Sequence, residues 1–126
     1  VDDNSRLVLL VEDEAPIRKL VRCALENSNH GVLEAASGLE AVGLFPHYEA
    51  QIALLLTDIM MPGMQGDELA ELLTGLHPNL PVLFISAYCP EIRPSVRHFA
   101  CLAKPFDLAA LTREVDEILR HPRRID

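Results

Sequence analysis

Residues 52–73 read IALLLTDIMMPGMQGDELAELL. From Ile52 to Thr57 the run is almost wholly apolar and of strand length, as expected of a strand covered on both faces. It ends on Asp58, a residue costly to bury, and a Met-Pro-Gly turn follows at once. Beyond the turn, Leu69, Leu72, Leu73 and Leu76 recur at helical spacing and predict a helix with those leucines in the core. The stretch therefore reads strand, turn, helix, with a carboxylate at the junction. Whether Asp58 merely opens a turn or carries chemistry depends on what the other strands bring beside it.

The same switch between strand-like runs and helical periodicity recurs along the chain. "LVLLV" (7–11) predicts a first strand. A helix follows, with Pro16 in its first turn and Ile17, Leu20, Val21, Ala24 and Leu25 at i, i+3, i+4, i+7, i+8 spacing. "GVLEAA" (31–36) is a weaker second strand, and Ser37 with Glu40 forms a capping box that opens a helix towards Phe45. Pro78 and Pro81 close the helix after the third strand. "PVLFIS" (81–86) and "FACLA" (99–103) are the fourth and fifth strands. Asp107 caps a last helix with Leu108, Leu111, Val115 and Ile118 inward. Between the last two strands, Pro90 and Pro94 leave room for only a short fourth helix. Five strands alternating with helices predict an α/β fold with a parallel sheet covered on both faces. Residues 1–126 form one domain, with its core from about residue 6 to 119.

Composition narrows the function. At a net charge of −8 over 126 residues, a generic nucleic-acid surface is excluded, because phosphate neutralisation needs clustered Lys and Arg. Arg120, Arg123 and Arg124 are the one basic cluster and read as a solvated tail. Cys23, Cys89 and Cys101 have no metal-ligand spacing and suggest reduced thiols in a cytoplasmic setting. The five histidines fall in loops or at helix ends and have no zinc spacing. No run is long enough to cross a membrane, and "VDDNSR" is unlike a signal peptide. A start at Val1 fits an excised domain, or a chain that has lost its initiator Met.

In open parallel sheets, ligands bind beyond the carboxyl ends of the strands. There the first strand offers Glu12 and Asp13, the third Asp58, the fourth Ser86, and the fifth Lys104 just before Pro105. Each alone has a plain structural reading: a turn aspartate, an acidic pair at a helix N-terminus, a strand-end hydroxyl, a solvated lysine. Together they place three carboxylates, a hydroxyl and an ammonium on one edge. Crowded carboxylates repel, and a hard divalent cation such as Mg²⁺ relieves that repulsion through oxygen ligands. Phosphoryl transfer needs mainly positioning and charge stabilisation, so Asp58 is a candidate in-line nucleophile.

With these residues in place, the chain resembles the receiver domains of bacterial two-component systems over roughly Arg6 to Leu119. "VLLVEDE", "LLLTDIMMPGMQG", "LFISAY" and "LAKPF" match that family's four motifs in order. The resemblance implies a flavodoxin-like (βα)5 three-layer sandwich with strand order 2-1-3-4-5. It also implies that Asp58 is phosphorylated and that Glu12, Asp13, Asp58 and the backbone carbonyl of Met60 bind Mg²⁺. Ser86 and Lys104 would then contact the phosphoryl group, and a cis peptide would precede Pro105. The implied donor is a phosphohistidine on a histidine kinase or histidine phosphotransfer protein, with Ile17, Leu20 and the Pro105 region as docking candidates. Such a domain is a signalling phosphoacceptor in the cytoplasm rather than an enzyme, with no nucleic-acid or membrane contact of its own.

"MPGMQGDELAELL", "LFISAY" and "LAKPF" look most similar to receivers carried by hybrid histidine kinases. A stand-alone response regulator and a degenerate receiver that only binds protein are the alternatives. Cys101 occupies the position where many family members carry an aromatic switch residue, and reads as a small core filler. Met60 and Tyr88 flank the site and are expected to shield an acyl phosphate from water. A Mg²⁺-dependent phosphohydrolase would need a general acid two residues after Asp58, where Met60 stands. A flavin carrier would need a phosphate loop where the acidic "EDEAPIRK" lies.

Overall fold

Every apolar run identified above forms a strand, and all of them run the same way. The computed structural model describes residues 6–87 and 99–121. In chain order the elements are β1 (Leu7–Val11), α1 (Ala15–Asn27), β2 (Gly31–Ala35), α2 (Gly38–Tyr48), β3 (Ile52–Asp58), α3 (Gly66–Leu76), β4 (Val82–Ser86), β5 (Phe99–Ala103) and α4 (Leu108–Arg120). The expected short helix between β4 and β5, like Tyr88, lies outside the described residues. The sheet order is β2-β1-β3-β4-β5, with each neighbouring pair parallel. The chain thus has the flavodoxin-like order expected.

Strand alternation splits the core into two layers. Leu9, Val11, Leu55, Val82 and Phe84 face α2 and α3, meeting Ala41, Phe45, Leu69 and Leu73. Val8, Leu10, Leu54, Leu56, Leu83 and Ile85 face α1 and α4, meeting Val21, Leu25, Leu111, Val115 and Ile118. Phe84 and Phe99 meet edge to face across β4 and β5, their centroids 5.8 Å apart, a favoured aromatic geometry.

The sequence also sets the helix ends. Ser37 Oγ accepts from the Glu40 amide at 3.1 Å, and Glu40 Oε1 reaches back to the Ala36 amide at 2.6 Å. Asp107 Oδ1 accepts from the Ala110 amide at 2.6 Å. The bonds from the Glu40 and Ala110 amides satisfy donors that a helix leaves unpaired at its start, and the Ala36 bond ties the preceding residue to the same turn. The peptide between Lys104 and Pro105 is cis.

Three expectations need correction. Leu72 is 45% exposed and Leu76 62%, so α3 buries a narrower stripe than four leucines imply; Leu69 and Leu73 fill it. Leu108 at the start of α4 is 37% exposed, one turn short of where that helix meets the sheet. Cys23 is a free, exposed thiol, but Cys101 is disulfide-bonded rather than reduced.

Candidate functional site

The parallel register carries the five singled-out side chains to one edge. Val11, the last residue of β1, pairs with Thr57, so Glu12 and Asp13 leave β1 beside Asp58. Asp58 pairs with Ile85, and Ser86 pairs with Ala103, which brings Ser86 and Lys104 to the same rim. The Lys104 amide donates to the Ser86 carbonyl at 2.6 Å, extending the ladder one step past β5.

Carboxylate oxygens of Glu12, Asp13 and Asp58 all lie within 4.8 Å of one another. Glu12 and Asp58 are buried and Asp13 is exposed. Lys104 Nζ donates to Asp58 Oδ2 at 2.7 Å, and the Met60 amide donates to Asp58 Oδ1 at 3.3 Å. Glu12 Oε2 accepts from the Glu14 amide at 3.1 Å. Burial pushes the Glu12 carboxyl up to about 7; the Glu14 amide opposes this, the Asp58 charge adds to it, and Lys104 opposes it more weakly. Burial works against the Lys104 ammonium, but the hydrogen bond and charge of Asp58 outweigh it and hold that group above its ordinary value.

This donor set fits a hard divalent cation. Three oxygens from two strands are close enough to share one ion, the exposed Asp13 side leaves room for water ligands, and one ammonium cannot balance three carboxylates. A Glu12 carboxyl that holds its proton near neutral pH is the expected response to burial beside like charge.

Two residues that shape the edge were not singled out from the sequence. Gly66 opens α3, and its amide donates to the Ile59 carbonyl at 2.8 Å. A Cβ at Gly66 would lie 2.0 Å from the Asp58 carbonyl oxygen, so only glycine lets α3 approach the end of β3 this closely. The Gly-Asp pair opening a helical run was the available signal. Arg18 on α1 donates to the Glu12 carbonyl at 2.8 Å and to Glu34 Oε1 at 3.0 Å; nothing in its spacing marks it. Met60, whose amide bonds Asp58 Oδ1, is 65% exposed.

Residues 8–116 match the family model of the response regulator receiver domain. The chain belongs to that family. It is 35% identical over 119 residues to the sensor kinase CckA of Brucella abortus, covering 91% of this chain and 13% of that kinase. It is 34% identical over 116 residues to the response regulator receiver protein CpdR of the same organism, covering 89% of this chain and 95% of that protein. The crystal structure of the receiver domain from hybrid histidine kinase CckA superposes with a TM-score of 0.78 at 34% identity, over 90% of this chain and 98% of that one. The response regulator TrrA of Thermotoga maritima, solved in complex with Mg²⁺-BeF, gives a TM-score of 0.77 at 25% identity, over 90% and 98%. This receiver domain thus resembles both a module within a long kinase and a protein of about its own size. As a receiver, it is a phosphorelay signalling domain of two-component systems, whose members act with histidine kinases.

Proposed function

We propose that Asp58 is the phosphoacceptor of this receiver and takes its phosphoryl group from a phosphohistidine on a histidine kinase or histidine phosphotransfer protein. The contact that carries the reading is the 2.7 Å bond from Lys104 Nζ to Asp58 Oδ2, within a carboxylate cluster suited to Mg²⁺. Glu12, Asp13, Asp58 and the Met60 backbone carbonyl are the proposed ligands. When bound, Mg²⁺ supplies neutralisation of charge on the transferring oxygens.

The remaining chemistry belongs to the chain. An Asp58 carboxylate oxygen attacks phosphorus in line, the P–N bond to the donor imidazole breaks, and the ring nitrogen leaves with the electron pair. Lys104, already paired with the carboxylate, turns to the phosphoryl oxygens as charge moves onto them. Ser86, buried at the end of β4, contributes its hydroxyl to the same group. The Met60 amide keeps its bond to the other carboxylate oxygen and so orients the nucleophile.

An apolar groove lined by Ile17, Leu20, Pro105, Phe106 and Leu108 adjoins Lys104. Leu20 is 59% exposed, so its place on α1 serves the surface rather than the core. The groove borders the Asp58 partner directly, and a donor helix seated there would present its histidine to the site. The family setting supports a cytoplasmic partner, within a hybrid kinase chain or as a separate protein. The domain phosphorylates and dephosphorylates only itself and turns over no external substrate.

Incubating the chain with a small-molecule phosphodonor tests this. With Mg²⁺, uptake stops at one acid-stable, base-labile phosphoryl group per chain, and none is taken up without Mg²⁺. Release of many equivalents of phosphate would indicate a hydrolase, and no uptake would indicate a receiver that only binds protein.

A further inference from the structure

Glu12 stands one residue beyond the last register position of β1, so its peptide is where the strand ladder stops holding the chain. Its amide is still tied to the Ala35 carbonyl at 3.1 Å. Its carbonyl faces α1, and there Arg18 Nη1 meets it at 2.8 Å. The same guanidinium is fixed through Nε to Glu34 Oε1 at 3.0 Å, with both side chains largely buried. Glu34 in turn pairs with Leu10 of β1, next to the strand end that Arg18 grips. A planar fork bound at two points loses little further freedom when it makes the second bond.

Resting on the assignment of Glu12, Asp13 and Asp58 as the Mg²⁺ ligands, we infer that Arg18, braced by Glu34, is a positioning residue that sets the affinity of the site for Mg²⁺. Holding the Glu12 carbonyl fixes the peptide plane joining Glu12 to Asp13. That plane determines where both carboxylates stand relative to Asp58. Without Arg18 the carbonyl of a buried residue loses its donor and the peptide is free to rotate, so two of three ligands lose their common aim.

Arg22 provides an internal control. It lies one turn further along α1 and also pairs with Glu34, but it has no bond to Glu12. A purely structural brace between α1 and β2 would weaken on loss of either arginine. A positioning role depends on Arg18 alone.

The test is a calorimetric Mg²⁺ titration of wild type, Arg18→Met, Arg22→Met and Asp13→Asn, with thermal midpoints measured alongside. Arg18→Met is expected to weaken Mg²⁺ binding about tenfold, the usual scale for residues that orient metal ligands, and Arg22→Met to leave it unchanged. In phosphorylation assays, Arg18→Met should raise the Mg²⁺ concentration at half-maximal rate while saturating Mg²⁺ restores the wild-type maximum. Unchanged affinity in Arg18→Met, or equal weakening in both arginine variants, overturns the inference. If Arg18→Met does not fold, Arg18→Lys replaces it, because one ammonium cannot hold both acceptors in fork geometry; unchanged affinity there overturns it equally. Failure of the metal-site assignment looks different: wild type would bind no Mg²⁺, or Asp13→Asn would bind as wild type does.

Discussion

At Glu12, burial and the neighbouring carboxylates favour the protonated form, so this residue has a cost that a bound cation removes. In the fold it titrates at about 7, above the ordinary glutamate value of 4.5. An acid raised in this way holds a proton in the fold that the unfolded chain has already released. Metal-free stability should therefore fall as pH rises from about 4.5 to 7, by at most about 3 kcal/mol. Denaturant unfolding in EDTA across that window checks this, and Glu12→Gln should flatten the slope. The exposed Met60 side chain, close to Asp58 in sequence, should slow water's approach to an acyl phosphate. Met60→Asn is expected to shorten the phosphoryl lifetime several-fold, read from loss of label over time; an unchanged lifetime would exclude Met60 as a shield.

Among the elements, the junction of β3 and α3 is the most constrained. The three atoms nearest a methyl group at Gly66 are all backbone, the Asp58 carbonyl and Ile59 Cα, so the closest clash cannot be relieved by a side chain rotating away. Gly66→Ala should cost about 3 kcal/mol or more and move the Asp58 carboxylate out of line. A lower thermal midpoint together with slower phosphorylation checks it. Apolar periodicity was enough to read β1, β3, β4, β5 and the caps at Ser37 and Asp107, because those signals are local. It overstated the buried face of α3, since Leu72 and Leu76 share the spacing of Leu69 and Leu73 but stay exposed. It could not separate packing from surface at Leu20, nor foresee the disulfide at Cys101. Those outcomes depend on which elements the fold sets side by side. Gly66 and Arg18 escaped notice for a related reason: each acts on a main-chain carbonyl, of Asp58 or Ile59 for Gly66 and of Glu12 for Arg18, and carbonyls leave no mark in a pattern of side chains.

Across the whole molecule, one register does most of the functional organisation. Five parallel strands end together, so residues 12, 13, 58, 86 and 104 reach one rim although the sequence spreads them over most of its length. Two apolar layers, one on each face of the sheet, hold that rim rigid. The receiver fold supplies the arrangement, and the chemistry proposed for it rests on Asp58 accepting phosphorus beside Lys104 and a Mg²⁺-binding cluster. The most direct test is site mapping. The chain is incubated with a phosphodonor and Mg²⁺, then reduced with borohydride, which marks an aspartate that carried a phosphoryl group, and digested for mass spectrometry. The expected result is a single mark, at residue 58, absent in EDTA and absent in Asp58→Asn. A mark at another carboxylate in the wild-type chain, or undiminished labelling without Mg²⁺, would contradict it.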